Sequence, residues 1–256
     1  MIHPTVIISK KAKISSKVEI GPYVVIGDNV EIGAGTKIDS FCTLTGHTVI
    51  GKNNHIFSNA VLGSIPQDLK YKGEESHLFI GDNNKIREFV TINVGTSNGG
   101  GKTIIGNNNL IMAYAHIAHD CIINNHTIIA NAGTLAGHVD VEDNAVIGGL
   151  TGIHQFVKIG RFSIIGGCSK VVQDIPPYST CDGHPAKIRG VNIVGLRRSG
   201  FDSNSRSVLK EAFKILFSSG HPITEGIDIL KNELSETEEI KYLVEFIQNS
   251  KRGICI

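Results

Sequence analysis

Aliphatic side chains recur at every sixth residue over most of this chain. The row begins at Ile8 and continues through Ile14, Ile20, Ile26, Ile32, Ile38, Leu44, Ile50, Ile56 and Leu62. It returns at Ile80, Ile86 and Ile92, then runs unbroken from Ile105 to Val171. A short period held in one phase for that long specifies a solenoid, in which each repeat buries its apolar side chain by stacking on its neighbours. β-branched residues dominate within the hexads, so each reads as a very short strand and a corner rather than as helix. Ile is often followed by Gly, as at Ile20-Gly21, Ile32-Gly33 and Ile147-Gly148, and Asn and Asp cluster at matching places. Left-handed corner backbone is the expectation for these residues. Six residues make one flat side and three sides close a triangular prism, so a coil takes eighteen residues. Coils then stack at strand spacing, about 4.8 Å.

Two insertions interrupt the row, at 63–78 and at 97–102; loops inserted into a solenoid gather on one face, often the binding face. Pro176-Pro177 ends the repeat, and a connector is expected up to about Phe201. Val208, Leu209, Ala212, Phe213, Leu216 and Phe217 then recur at helical spacing, with Gly220 as a stop. A second helix is expected over Thr224 to Leu234. Ser235-Glu236-Thr237-Glu238 has capping-box form and predicts a third helix carrying Ile240, Leu243, Val244 and Ile247. The chain therefore divides into a β-solenoid over 1–190 and a connector with a small helical domain over 191–256. The helical part is too small to stand comfortably alone, so it is expected to pack on the prism or on another subunit.

Composition narrows the function. The 256 residues carry a formal net charge of +1, without the basic excess of a nucleic-acid binder. Five cysteines lie scattered with no Cys-x-x-Cys pair, which reads as reduced thiols in a cytosolic protein. The first eleven residues hold no apolar signal core, and no apolar run is long enough to span a bilayer.

Residues eighteen apart lie above one another, so His119, Gly137 and Gln155 share a column. His138 follows Gly137, His154 precedes Gln155, and His116 lies three residues before His119. Four histidines thus gather on one edge within about three coils. A Gly above a His sets a bare backbone N–H beside an imidazole. That pair suits acyl transfer, with the imidazole taking a proton from an attacking hydroxyl and the N–H holding the oxyanion. Asp120 is placed to orient the ring. A single histidine on such a wall is usually just solvated, which is the reading for His3, His47, His55, His77, His126 and His221. Histidine clusters also bind zinc, although His-x-x-His without a cysteine pair is a weak ligand signature.

Several segments together resemble one family. They are Gln67-Asp68-Leu69-Lys70-Tyr71, His116-Ile117-Ala118-His119-Asp120-Cys121, Leu135-Ala136-Gly137-His138-Val139, His154-Gln155-Phe156, and Val191-Asn192-Ile193 through Gly195-Leu196-Arg197-Arg198. In this order, and over the whole chain, they are similar to the cytosolic UDP-N-acetylglucosamine O-acyltransferases of lipid A synthesis. The resemblance implies a left-handed parallel β-helix with a C-terminal α-helical domain. The crossover rule alone would favour a right-handed path, and uniform hexapeptide repeats resemble the known exception. It further implies transfer of an R-3-hydroxyacyl group from acyl carrier protein to the sugar 3-hydroxyl, in a cytoplasmic homotrimer with sites in clefts between prisms. No metal or diffusible cofactor, nucleic acid or stable membrane insertion is implied.

By the same resemblance His119 matches the general base, Asp120 its orienter and Gly137 the oxyanion amide. Asp68 looks like a ligand to sugar hydroxyls and Lys70 a charge near phosphates or the pantetheine arm. His116, His138, His154 and Gln155 look like sugar, diphosphate or acyl-chain contacts, and Asn192 and Arg198 like nucleotide-diphosphate ligands, for which a guanidinium fork is suited. Lys158, Arg161, Lys170, Arg206 and Lys210 are candidates for docking the acidic carrier protein. Departures from the family pattern are Ser199, where another Arg is common, and the turn Asp182-Gly183-His184-Pro185. Gly167 matches a groove position at which a bulky residue shortens the accepted chain, so a long hydroxyacyl chain is expected. Three alternatives compete: an N-acyltransferase, for whose N-terminal domain a row starting at Ile8 leaves no room; a zinc hydratase on the same scaffold; and a non-catalytic solenoid.

Overall fold

A computed structural model of the chain describes residues 1–220, 222–234 and 237–256. Three sheets of nine, eight and ten strands form the three walls of a prism; all strands run parallel except the last of the ten-stranded sheet, and successive parallel strands of a wall are one coil apart in sequence. Ile8 pairs with Ile26, Ile26 with Leu44 and Leu44 with Leu62 on one wall; after the insertions Ile117 pairs with Leu135 and Leu135 with Ile153. The aliphatic row points inward and is almost completely buried, from Ile20 to Val171. Each such side chain contributes roughly 1.5–3 kcal/mol of hydrophobic stabilisation, so the stacked row is the main source of stability.

A second inward row lies two residues before the first. It consists of small side chains, among them Val24, Val30, Thr36, Cys42, Thr48, Asn54, Ala60, Ala115, Cys121, Thr127, Val139, Ala145, Thr151 and Ser163, all buried. A narrow triangular core has space for one large residue per side, and the position beside each corner accepts only a small one. Four cysteines, Cys42, Cys121, Cys181 and Cys255, are buried in the prism core. Burial pushes the thiols of Cys42 and Cys121 up to about 11 and about 12, so neither is a nucleophile at neutral pH.

On the edge between the eight- and ten-stranded walls the second row turns polar and forms a ladder. The Asn54 backbone N–H donates to Thr36 Oγ1, that of Asn84 to Asn54 Oδ1, that of Asn109 to Asn84 Oδ1 and that of Thr127 to Asn109 Oδ1, at 2.8–3.2 Å. The side-chain amides of Asn54, Asn84 and Asn109 donate in turn to the carbonyls of Gly81, Gly106 and Asn124. The three ladder amides are therefore satisfied by neighbouring coils.

The glycine expectation is corrected. The left-handed corner positions are mostly not glycine: Tyr23, Phe41, Phe89, Asp120, His138 and Phe156 all have φ near +60°. The glycines after Ile serve close approach instead, for a Cβ on Gly33 would lie 2.5 Å from the Gly51 carbonyl carbon and oxygen of the next coil.

Both insertions leave the prism at one edge, between the nine- and eight-stranded walls. Strands Val61–Ser64 and His77–Ile80 extend into the first, so its irregular part is 65–76; the second folds as a short 3-10 turn, Ser97–Gly99, with strand Lys102–Ile105 resuming the wall. Leu62 pairs with Ile92, thirty residues on, and Ile92 with Ile117, twenty-five residues on, so the register is recovered after each.

Beyond the two prolines the chain does not simply become a connector. Strand Ser179–Gly183 adds to the ten-stranded wall and turns back as the antiparallel strand Ala186–Val191. Helix α1 spans Ile193–Arg198, α2 Ser203–Ser218, α3 Ile223–Glu233 and α4 Glu238–Gln248. Leu209, Ala212, Phe213, Leu216, Leu230, Ile240, Leu243, Val244 and Ile247 form a second core that reaches Tyr178 and Leu196. Thr237 caps α4, its side chain accepting from the Ile240 N–H; Ser235 and Glu236 of the expected capping box, and His221, lie outside the described residues. Arg161 fastens this domain to the prism. Its guanidinium lies 3.7 Å from the centroid of the Tyr242 ring and its Nε donates to the Tyr178 hydroxyl at 2.8 Å. Being thus engaged, it is not free to dock a carrier protein.

Candidate active site

Three groups meet on the edge that carries the insertions. His119 sits at the corner between strands His116–Ile117 and Ile122–Ile123, and is buried. Its Nδ1 lies 2.8 Å from Asp120 Oδ2. Asp120, with a wholly buried side chain, also accepts from the Thr96 N–H at Oδ1 (2.9 Å) and from the Thr96 hydroxyl at Oδ2 (2.7 Å). A buried carboxylate with those partners accepts the Nδ1 proton of His119, which leaves Nε2 with a free lone pair. The Asp120 N–H donates to Thr103 Oγ1, and a Cβ on Gly99 would collide with the Asp120 carboxylate. The second insertion is thus the clamp that holds the orienting carboxylate. Sequence reasoning missed Thr96 because it lies twenty-four residues from Asp120, across a loop of unknown path.

Gly137 lies directly over the imidazole. A Cβ there would come within 2.5 Å of His119 Cε1 and 2.7 Å of Nε2, so no other residue leaves the ring its place. The His138 N–H donates to the His119 carbonyl, and the Phe156 N–H to the Gly137 carbonyl, which locks the three coils in register.

The His138 ring stands at 90° to that of His119, centroids 5.1 Å apart, and stacks on Phe156 at 4.3 Å. Burial holds its pKa below the usual histidine range, the charge of Asp120 partly opposing; Asp68 acts on it in the same sense as Asp120, so the first insertion returns its carboxylate to this edge. Asp68 accepts the Lys70 N–H at 2.9 Å, which fixes the turn, and Lys70 itself is exposed. The two insertions are tied together where Ser97 donates to Glu74. His116 hydrogen-bonds Thr91 through Nδ1 at 2.7 Å, and burial and then His119 hold its pKa low. His154 and Gln155 are exposed on the same edge, one coil beyond Gly137.

Other residues singled out in the sequence lie elsewhere. Gly167 belongs to the column Asn131, Gly149, Gly167 on the edge at the far side of the nine-stranded wall, where it is exposed. Asn192 is the N-cap of α1: its Oδ1 accepts from the Gly195 N–H and its Nδ2 donates to the Phe162 carbonyl. Arg198 ends that helix and is exposed.

The ligand atoms of His119, Asp120 and His138 lie within 4.8 Å of one another, near enough for a metal. Both Asp120 oxygens are already filled by Thr96 and His119, however, a partner set that suits orienting an imidazole better than ligating an ion. A buried imidazole with its Nδ1–H on a carboxylate, its Nε2 open and a bare amide above it can move a proton and hold a developing oxyanion.

Known proteins are similar to this chain along its full length. A family described as "Udp N-acetylglucosamine O-acyltransferase; Domain 2" matches residues 174–255, and "Bacterial transferase hexapeptide (six repeats)" matches 102–137. A "GMPPB C-terminal domain" family matches 2–97. The acyl-[acyl-carrier-protein]–UDP-N-acetylglucosamine O-acyltransferase of Nautilia profundicola is 56% identical over 206 residues, covering 80% of this chain and 79% of the relative. That of Aliarcobacter butzleri is 52% identical over the same length, covering 80% and 78%. Among solved structures, LpxA of Acinetobacter baumannii superposes with a TM-score of 0.96 at 47% identity, covering 100% of this chain and 99% of the other. LpxA of Bacteroides fragilis gives 0.98 at 44%, covering both chains fully. The fold is accordingly the left-handed parallel β-helix with C-terminal helices. At this identity and coverage, the chain belongs to the acyl-[acyl-carrier-protein]–UDP-N-acetylglucosamine O-acyltransferase family.

Proposed function

We propose that this chain transfers an R-3-hydroxyacyl group from acyl carrier protein to the 3-hydroxyl of UDP-N-acetylglucosamine, the first step of lipid A biosynthesis. The observation that carries the mechanism is the stacking of Gly137 on an imidazole whose Nδ1 is held by Asp120. His119 Nε2 takes the proton of the sugar 3-hydroxyl as its oxygen attacks the thioester carbonyl carbon. The Gly137 N–H donates to the resulting oxyanion, Asp120 stabilises the imidazolium, and collapse expels the pantetheine thiolate, which takes the proton back from His119. The donor arrives activated as a thioester, so no step calls on a metal or a diffusible cofactor.

Asp68 and Lys70, brought to the edge by the first insertion, bind the sugar and a phosphate or the pantetheine arm. His116, His138, His154 and Gln155 line the path of the acceptor and acyl chain. Low pKa values keep His116 and His138 neutral near pH 7, so they hydrogen-bond without competing for the oxyanion. Asn192 fixes the start of α1 and Arg198 engages the diphosphate. An acyl chain that begins at His119 and ends beside Gly167 crosses the nine-stranded wall. A neighbouring prism laid on that wall closes the groove, which supports a homotrimer with sites between subunits. The carrier protein docks on Lys158, Lys170, Arg206 and Lys210. A protein with this activity works in the cytoplasm, where its donor is made; among the described residues no helix is long and apolar enough to cross a membrane.

Incubation with UDP-N-acetylglucosamine and hydroxyacyl carrier proteins of several lengths, products identified by mass, tests the reading. A 3-O-acylated sugar nucleotide formed best from long donors is expected. Acylation only of the 3-amino analogue would reassign the acceptor, a preference for short donors would remove Gly167 from the groove, and no product from any donor would overturn the proposal.

A further inference from the structure

A second histidine group lies on the eight-stranded wall, where the first insertion rejoins the prism. His47 and His77 are direct partners on adjacent strands, and both are half-buried with their rings 5.1 Å apart. Glu75 reaches back from the end of the insertion, its Oε1 3.4 Å from His77 Nε2. One ligand atom from each of His47, Glu75 and His77 lies within 4.8 Å of the others. The rings are held from behind: His77 stacks on Phe79 at 5.7 Å, and His47 Nε2 lies 3.2 Å from the Asn29 amide one coil away. The three serve no role in acyl transfer as derived above.

We propose that His47, Glu75 and His77 form a binding site for a divalent transition-metal ion of borderline softness, zinc(II) in the first instance. Two imidazoles and a carboxylate are a standard ligand set for such ions, and the fourth position falls to water or to the Asn29 amide oxygen once that group turns over. Register places Lys102 beside His77 on the next strand, but its side chain is exposed and free to turn to solvent. A bound ion would join three points otherwise held by weak contacts: the wall at His47, the resumed strand at His77 and the insertion's last turn at Glu75. It would thereby staple the base of the loop that carries Asp68. The site is independent of the acyl-transfer reading, and its occupancy is measurable without any turnover.

The test is zinc titration of the untagged full-length chain at pH 7.5 by equilibrium dialysis and calorimetry, with cobalt(II) as a spectroscopic substitute. One ion per chain is expected, with cobalt bands of low coordination number. Affinity should fall at least about tenfold in H47A, H77A and E75Q. H119A, which dismantles the other group with ligand spacing, should still bind. Circular dichroism melting of each variant without metal should match the parent, since all three side chains face outward. Absence of stoichiometric zinc in the parent would overturn the proposal. So would retention of zinc in the H47A, H77A double variant together with its loss in H119A.

Discussion

Leu135 and Gly137 stand two residues apart in one coil, yet they belong to different parts of the protein's economy. Leu135 points inward between Ile117 and Ile153 and is fully buried. Gly137 faces outward over His119. Apart from the two insertions, the inner row keeps to Ile, Leu and Val because each member is packed by an aliphatic side chain above and below. The outer row is free to change at every coil, and the chemistry resides where it changes. One eighteen-residue period therefore sets stability on its inner face and reactivity on its outer one.

Mutations can break that division if it is wrong. His119→Ala should lower acyl transfer by about 10²–10⁴-fold while leaving the melting temperature nearly unchanged. Kinetics and calorimetry on the same sample check it, and parallel loss of both would show that the outer row is structural. Leu135→Ala should do the reverse, costing about 2–5 kcal/mol of stability with little change in kcat of the folded fraction, measured by denaturant unfolding alongside activity. Gly137→Ala separates room from folding. The new methyl must displace the His119 ring, so a loss of about tenfold or more in kcat is expected, within the range of a misplaced catalytic group, with a small change in KM.

How far these two faces can be read from sequence differs. The aliphatic row, the eighteen-residue coil and the column His119–Gly137–Gln155 are legible because they depend only on counting. The left-handed positions are legible where the Asn clusters occupy them, as at Asn53, Asn83 and Asn108, but not from the Gly after Ile, which answers to the coil above it; a corner that exposes its side chain accepts Tyr23 or Phe156 as well. The inner row of small residues mixes Val, Thr, Cys, Asn and Ala, which share size and not polarity, so hydropathy does not reveal it. Thr96 and Glu74 act across loops, and no periodicity reports where a loop returns. Helix α1 and the hairpin before it were hidden because neither is long enough to display a period.

Smaller effects sharpen the picture. Burial depresses the pKa of His116 and His138 in the folded state. Between those values and the ordinary value near 6.5, the unfolded chain binds more protons, so stability contributed by the neutral rings is present above pH 6.5 and declines as pH falls through that window. His138→Gln should flatten the fall in melting temperature between pH 7.5 and 5 relative to the parent. Arg198→Ala, at an exposed site, should leave melting unchanged and raise KM for the sugar nucleotide about tenfold, as loss of one charged hydrogen bond of about 1.5–3 kcal/mol predicts at its lower end; an unaltered KM would remove Arg198 from the diphosphate site.

The amide ladder through Asn54, Asn84 and Asn109 has a consequence for how such a molecule can vary. Its rungs bridge stretches of thirty and twenty-five residues as easily as the eighteen between Asn109 and Thr127. Each amide accepts a successor only at its own angular position, whatever length of chain has intervened. The ladder works as a splice mark: a segment leaving the opposite edge can be lengthened, shortened or exchanged, and the coil that follows is set back into phase.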